Sequence, residues 1–82
     1  MFDFDANDGA QLAEIDKGAA LLALNRGLEA IACFDRAISL RPGDSSAWNN
    51  KVYALFFMGQ YAAALPCLEE AQRLGATRAA EE

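Results

Sequence analysis

The sequence predicts an all-α fold: two antiparallel helix–turn–helix units, one after the other. Three observations point to it. Apolar residues recur at helical spacing through four successive segments. A Gly, Asn or Pro break closes each segment. The second half of the chain also repeats the first at an offset of 34 residues, breaks included.

Residues 1–7 are polar apart from Phe2 and Phe4, which alternate with Asp3 and Asp5. They are expected to form a flexible arm. It is either a frayed terminus or an extended strip whose aromatics dock in a groove, its own or a neighbour's. Asp8 has the character of an N-cap, and Gln11 three residues on completes a capping-box pattern. The first helix is expected to run from there to about Leu24. Leu12, Ile15, Ala19 and Leu22 form one stripe, with Gly18, Ala20 and Leu21 beside it. Beyond Lys17 the segment is nearly apolar all round, which predicts burial on more than one side. Asn25-Arg26-Gly27 ends it, because Asn and Gly tolerate the left-handed backbone of a helix stop.

The second helix is expected over 28–40, with Ala30, Ile31, Phe34, Ala37 and Ile38 inward and Glu29, Asp35 and Arg36 on the wet side. Pro42 terminates it and biases Arg41 out of the helical region. Asp44 then caps a third helix over 45–58, in which Trp48, Val52 and Leu55 point one way and Asn49, Tyr53, Phe56 and Phe57 another. Gly59 stops it. The fourth helix is expected over 61–74, its inner face Ala64, Leu65, Leu68 and Ala71, ended by Gly75. Glu69 and Arg73 are spaced for an i,i+4 pair. Pro66, close to the helix start, removes one bond to the Ala62 carbonyl and predicts a slight bend. Residues 77–82 read as a short tail or the start of a capping helix.

Over the unit 11–44 the pairs identical at the 34-residue offset are Ala13/Ala47, Lys17/Lys51, Ala20/Ala54, Leu21/Leu55, Ala30/Ala64, Cys33/Cys67, Ala37/Ala71 and Leu40/Leu74. Half are alanines, which an Ala-rich chain matches by accident. The superposition of the breaks is the stronger signal: Asn25 falls on Gly59 and Leu24 on Met58. Ile31 also falls on Leu65, Phe34 on Leu68 and Asp35 on Glu69.

A helix–turn–helix period of this length resembles the tetratricopeptide repeat, whose pattern runs W-x2-L-G-x2-Y, then A, F and P. Trp48 and Ala64 match in the second unit, with Leu55 and Leu68 as apolar stand-ins for Tyr and Phe. Lys51, Val52 and Ala76 depart at the Leu, Gly and Pro positions. The first unit has Gly18, Ala30, Phe34 and Pro42 in place and Leu21 for the Tyr, and departs at Glu14 and Lys17. The resemblance covers residues 11–76, as units 11–44 and 45–76. It implies a short right-handed α-solenoid in which each unit buries its outer side against the next. Two units are fewer than the three or so that such stacks normally need, and a core of this length supplies only about 3–5 kcal/mol. The face of the fourth helix is therefore expected to stay open for a partner, a second copy or a longer parent chain.

The resemblance further implies a concave groove made by the first helix of each unit. It would be lined by Leu12, Ile15, Ala19 and Leu22 from one, and Asn49, Asn50, Tyr53, Phe56 and Phe57 from the other. One family subtype grips a C-terminal carboxylate with Lys, Arg and Asn. Only Asn50 matches that set, and Ile15 and Ala19 stand where Lys and Asn would be. An apolar helix or an aromatic-bearing strand is the better fit, with Asn able to hold a peptide backbone.

Composition narrows the chemistry. The chain has 82 residues, 54% of them hydrophobic, enough for one small domain. Twelve acidic side chains outweigh seven scattered basic ones, so nucleic acid is not an expected partner. No apolar run approaches the ~18 residues of a membrane span. The acidic start differs from a basic signal peptide, so the cytoplasm is the expected location. There is no histidine, which removes Ser-His and Cys-His catalysis and HExxH metal sites. Cys33 and Cys67 match no zinc or CxxC spacing and occupy equivalent places on stacked helices, too far apart for a disulfide. They read as small semi-buried residues. The expectation is a non-enzymatic protein-binding module with no cofactor and no metal. The alternative is a self-associating assembly protein that uses the open end face or Phe2 and Phe4.

Overall fold

The computed structural model describes the backbone of residues 6–81 and the side chains of residues 9–75. Phe2 and Phe4, the proposed docking arm, lie outside the described residues. Four helices follow in order: α1 (Ala6–Ala23), α2 (Gly27–Leu40), α3 (Ser45–Phe57) and α4 (Tyr61–Glu81). Each packs on its neighbour in sequence, and α1 also touches α3. Among the described residues α1 and α4 do not meet. The body measures 43 × 26 × 16 Å, so its thin dimension holds little more than one helix.

The two sharp turns are built alike, and they explain why the breaks superimpose. Asn25 (φ 62°) and Gly59 (φ 75°) both take the left-handed conformation. After the first, the Arg26 N–H donates to the Leu21 carbonyl at 2.8 Å; after the second, the Gln60 N–H donates to the Leu55 carbonyl at 2.8 Å. Each bond reaches back across the last turn of its helix, which is the Schellman way of satisfying orphan carbonyls. The middle connection works differently. Asp44 caps α3 through Oδ1, which accepts from the Ser46 N–H at 2.9 Å.

Helix α2 is the axis of the fold. Its inward stripe, Ala30, Cys33, Phe34 and Ala37, is wholly buried because α1 covers one side and α3 the other. Phe34 joins Ala30 and Ala54 in one cluster, flanked by Leu21 and Leu22 of α1. Val52, Leu55, Ala64 and Cys67 form a second, against which Trp48 and Leu68 pack. Ile31 is half-buried between the two clusters. Trp48 also ties α3 to the preceding loop, its Nε1–H donating to the Pro42 carbonyl at 3.3 Å.

Six expectations are corrected. Helix α1 begins at Ala6, so Asp8 lies inside it. Gln11, expected to close a capping box, is instead buried and donates from Nε2 to Asp44 Oδ2 at 3.2 Å, bracing the α2–α3 connection. Helix α4 does not end at Gly75 but continues to Glu81, since a glycine stops a helix only when it turns left-handed, and this one stays helical. Helix α1 is also not buried on several sides. Gln11 and Gly18 are buried, but Leu12 is 58% exposed and Leu24, just past the helix end, 66%, because α1 lies at one end of the stack and only one side faces α2. On α4, Leu65 is 57% exposed. The inner stripe is Ala64, Cys67 and Ala71, with Leu68 half-buried at its edge. Arg73 pairs with Glu70, one turn-step nearer than Glu69, through Nε to Oε2 at 3.1 Å and a second bond from Nη2 to Oε1.

A Cβ added at Gly75 would meet nothing within 4 Å. Gly75→Ala is therefore expected to raise stability by about 0.5–1 kcal/mol, the helix-interior cost of glycine. A urea titration of the two proteins checks this.

Candidate partner-binding surface

The first helices of the two units, α1 and α3, lie side by side and form a shallow cleft. Ala19, Leu22 and Ala23 of α1 line one wall, Asn50, Tyr53 and Phe57 of α3 the other, and Asn25 of the first turn closes one end. Its volume is about 410 Å3. Tyr53 and Phe57 are each 70% exposed. Their exposure follows from helix geometry: on α3, Val52 and Leu55 are spent on α4, which turns Tyr53 and Phe57 away from the core. Asn50 donates from Nδ2 to the Ser46 carbonyl of its own helix at 2.8 Å, which fixes its side chain at the cleft wall.

The expected groove residues thus divide. Ala19, Leu22, Asn50, Tyr53 and Phe57 come together in this cleft. Asn49 and Phe56 do not join them. They line a second hollow of about 440 Å3 on the far side of α3, with Val52, Tyr53 and Leu68. Phe56 leans on Tyr61 there, ring centroids 5.3 Å apart and tilted by 59°. Leu12, exposed, and Ile15, half-buried, line neither hollow. Ala23 and Asn25 were missed as cleft residues. The left-handed turn at Asn25, legible as a helix stop, is the signal that could have placed it at the cleft end.

Charged side chains lie around these apolar surfaces rather than in them. Lys51 Nζ of α3 reaches Asp35 Oδ1 of α2 at 2.7 Å. Arg36 Nε donates to Glu14 Oε2 at 3.1 Å, joining α2 to α1, and its Nη2 lies 3.3 Å from Cys33 Sγ. The hydrogen bond from Arg36 holds the Glu14 carboxyl below the usual carboxylate range, and the same bond raises Arg36. Glu70 is lowered in the same way by Arg73. Glu14 occupies the place that Trp48 takes in the second unit, so an ion pair stands in the first unit where an indole packs in the second. Cys33 and Cys67 are free thiols, more deeply buried than expected at 1% and 8% exposure. Among the described residues no group of three or more Cys, Asp and Glu is placed to hold a metal ion. No helix among them is long and apolar enough to cross a membrane.

Two family models, each described as tetratricopeptide repeat, match the chain, one over residues 15–44 and the other over residues 33–65. The first covers α2 and the second half of α1. The second is offset from the helical pairs and begins within α2, so it takes in the α2–α3 connection and α3. No curated protein matches the chain.

Proposed function

Because the chain belongs to the tetratricopeptide repeat family, whose members are generally non-catalytic protein–protein interaction modules, we propose that the α1–α3 cleft binds a partner protein as an apolar helix or an aromatic-bearing strand. One observation carries the reading: two large aromatic side chains, Tyr53 and Phe57, stand exposed beside Ala19 and Leu22 in a ready-made hollow. Exposed aromatics on a rigid element lose little entropy on binding and supply most of the energy at protein interfaces. The cleft is wide and shallow, as suits a peptide or helix rather than a compact small molecule. The free thiols fit a reducing compartment, and a cytoplasmic adaptor role is part of the reading.

A titration of the isotope-labelled chain with amphipathic helical peptides and with extended aromatic-bearing peptides tests it. Amide shifts are expected at Asn50, Tyr53 and Phe57. Tyr53→Ser and Phe57→Ser should each weaken binding by about tenfold or more while leaving helical content unchanged, since both side chains are exposed. Shifts confined to α2 and α4 would refute the cleft.

A further inference from the structure

The contact between α3 and α2 contains the plan of a second contact that the single chain does not make. The side of α3 turned to α2 carries Ala54, clustered with Ala30 and Phe34, and Lys51, paired with Asp35; Met58, just past the helix end, is seated on Gly27, and the fully buried Ala47 continues the stripe one turn before Lys51. On α2 the receiving residues are Gly27, Ala30, Ile31, Phe34 and Asp35. Moved back by the 34-residue offset, the stripe becomes Ala13, Lys17 and Ala20 of α1 and Leu24 just past its end, identical in its first three members and all exposed. Moved forward, the receiving surface becomes Tyr61, Ala64, Leu65, Leu68 and Glu69 of α4. There Leu65, Tyr61 and Glu69 are exposed, where Ile31 is half-buried under α3.

Coincidence of small residues alone would carry little. The charges make the match specific. Lys17 repeats Lys51, and Glu69 repeats the acidic character of Asp35, so the α3–α2 ion pair has both its halves duplicated on opposite ends of the molecule. The unmet expectation for α1 agrees. Its sequence reads as a helix covered on more than one side, yet within the chain, where it packs on α2 and only touches α3, the Ala13, Lys17 and Ala20 stripe stays exposed.

We propose that α1 of one copy of this chain packs on α4 of a second copy, in the register that α3 uses on α2, with Lys17 against Glu69. The docked helix covers Phe56, Leu65 and Leu68 and fills the hollow beside Leu68. One position differs. Tyr61 stands where Gly27 admits Met58, so the Leu24 end of the docked helix sits farther out than its α3 counterpart. The contact is head-to-tail, and its two halves lie on different surfaces. Each pair therefore leaves one α1 and one α4 free, and assembly continues instead of closing at two.

Sedimentation equilibrium of the full chain over a range of concentrations tests this. The average mass is expected to rise with concentration past that of a dimer. Ala20→Arg puts a long charged side chain on the stripe at an exposed helical position, so it should leave the helices intact by circular dichroism and yield a monomer. Lys17→Glu and Glu69→Lys should each weaken association about tenfold, by losing an ion pair and adding repulsion, and the two together in one chain should restore it. Phe57→Ser, in the cleft, should leave the mass unchanged, which separates this contact from the cleft. A monomer at every concentration, a mass that levels at the dimer, or association indifferent to Ala20→Arg and to both charge reversals would overturn the proposal. So would a double reversal that fails to restore what the single reversals lose.

Discussion

Phe34→Ala is expected to leave the chain largely unfolded. The Phe34 ring is fully buried, and among the described residues it is the largest side chain so enclosed. Three helices meet on it: Gly18 of α1 lies against its edge, Ala30 is its neighbour on α2, and Ala54 of α3 completes the cluster. Those three neighbours are Gly and Ala, too small to fill the space, and Leu21, Leu22 and Ile31 at its edge are already half-buried in packing of their own. Truncating a buried phenylalanine costs about 3–5 kcal/mol, as much as a core of this length supplies in total. Far-ultraviolet circular dichroism with a thermal melt is the measurement. A retained cooperative transition near that of the parent chain would mean that α1 is not held through this ring.

The second large effect is expected at Gly18, and it is sharpest beside a control. A Cβ on Gly18 would fall 2.5, 2.8 and 2.9 Å from three atoms of the Phe34 ring. The ring is locked on all sides, so the strain moves α1 away from α2. Gly18→Ala should therefore destabilise by about 1–3 kcal/mol, the usual cost of overpacking, despite alanine's better helix propensity. A Cβ on Gly27 also meets atoms at 2.5 and 2.7 Å, but they are Sδ and Cγ of Met58. Methionine is flexible, and Met58 is only half-buried. Gly27→Ala is expected to fall within about 0.5 kcal/mol of the parent. Parallel urea titrations compare the two. Equal effects would show that the close approach at Gly18 relaxes as easily as the one at Gly27.

The helix pairs, their turns and their order were legible because local chemistry decides them. Asn25 and Gly59 can turn left-handed, Asp44 can cap, and the periodic apolar residues of α2 can face one way only. Gly75 was misread for the complementary reason. A glycine is permissive and not directive, and at Gly75 the helical conformation costs less than leaving it, so the chain stays helical. Gln11 was misread because its partner, Asp44, is distant in sequence and adjacent only after α1 and α2 have packed. The cleft was legible in part. Tyr53 and Phe57 follow from which face of α3 the core consumes. Phe56 is their immediate neighbour in sequence, yet it turns about a hundred degrees around the helix and belongs to the other hollow. Ile15 and Leu12 share the helical stripe of Ala19 and Leu22 but lie one to two turns nearer the start of α1, and register alone does not say which turn reaches the cleft.

Among the described residues α1 and α4 do not meet and no closing contact is made, and this shapes how the fold forms. Every pair of helices that touches is joined by at most one helix between them in sequence. Loops to be closed are short, so little entropy is lost before contacts begin to reward it, and folding is quick for the chain's size. Either hairpin can form first and serve as the template on which the other condenses, as in a one-dimensional lattice with nearest-neighbour coupling. The same topology sets the order of loss: α1 and α4, each held along one flank, open before α2, and amide protons of α2 are the last to exchange.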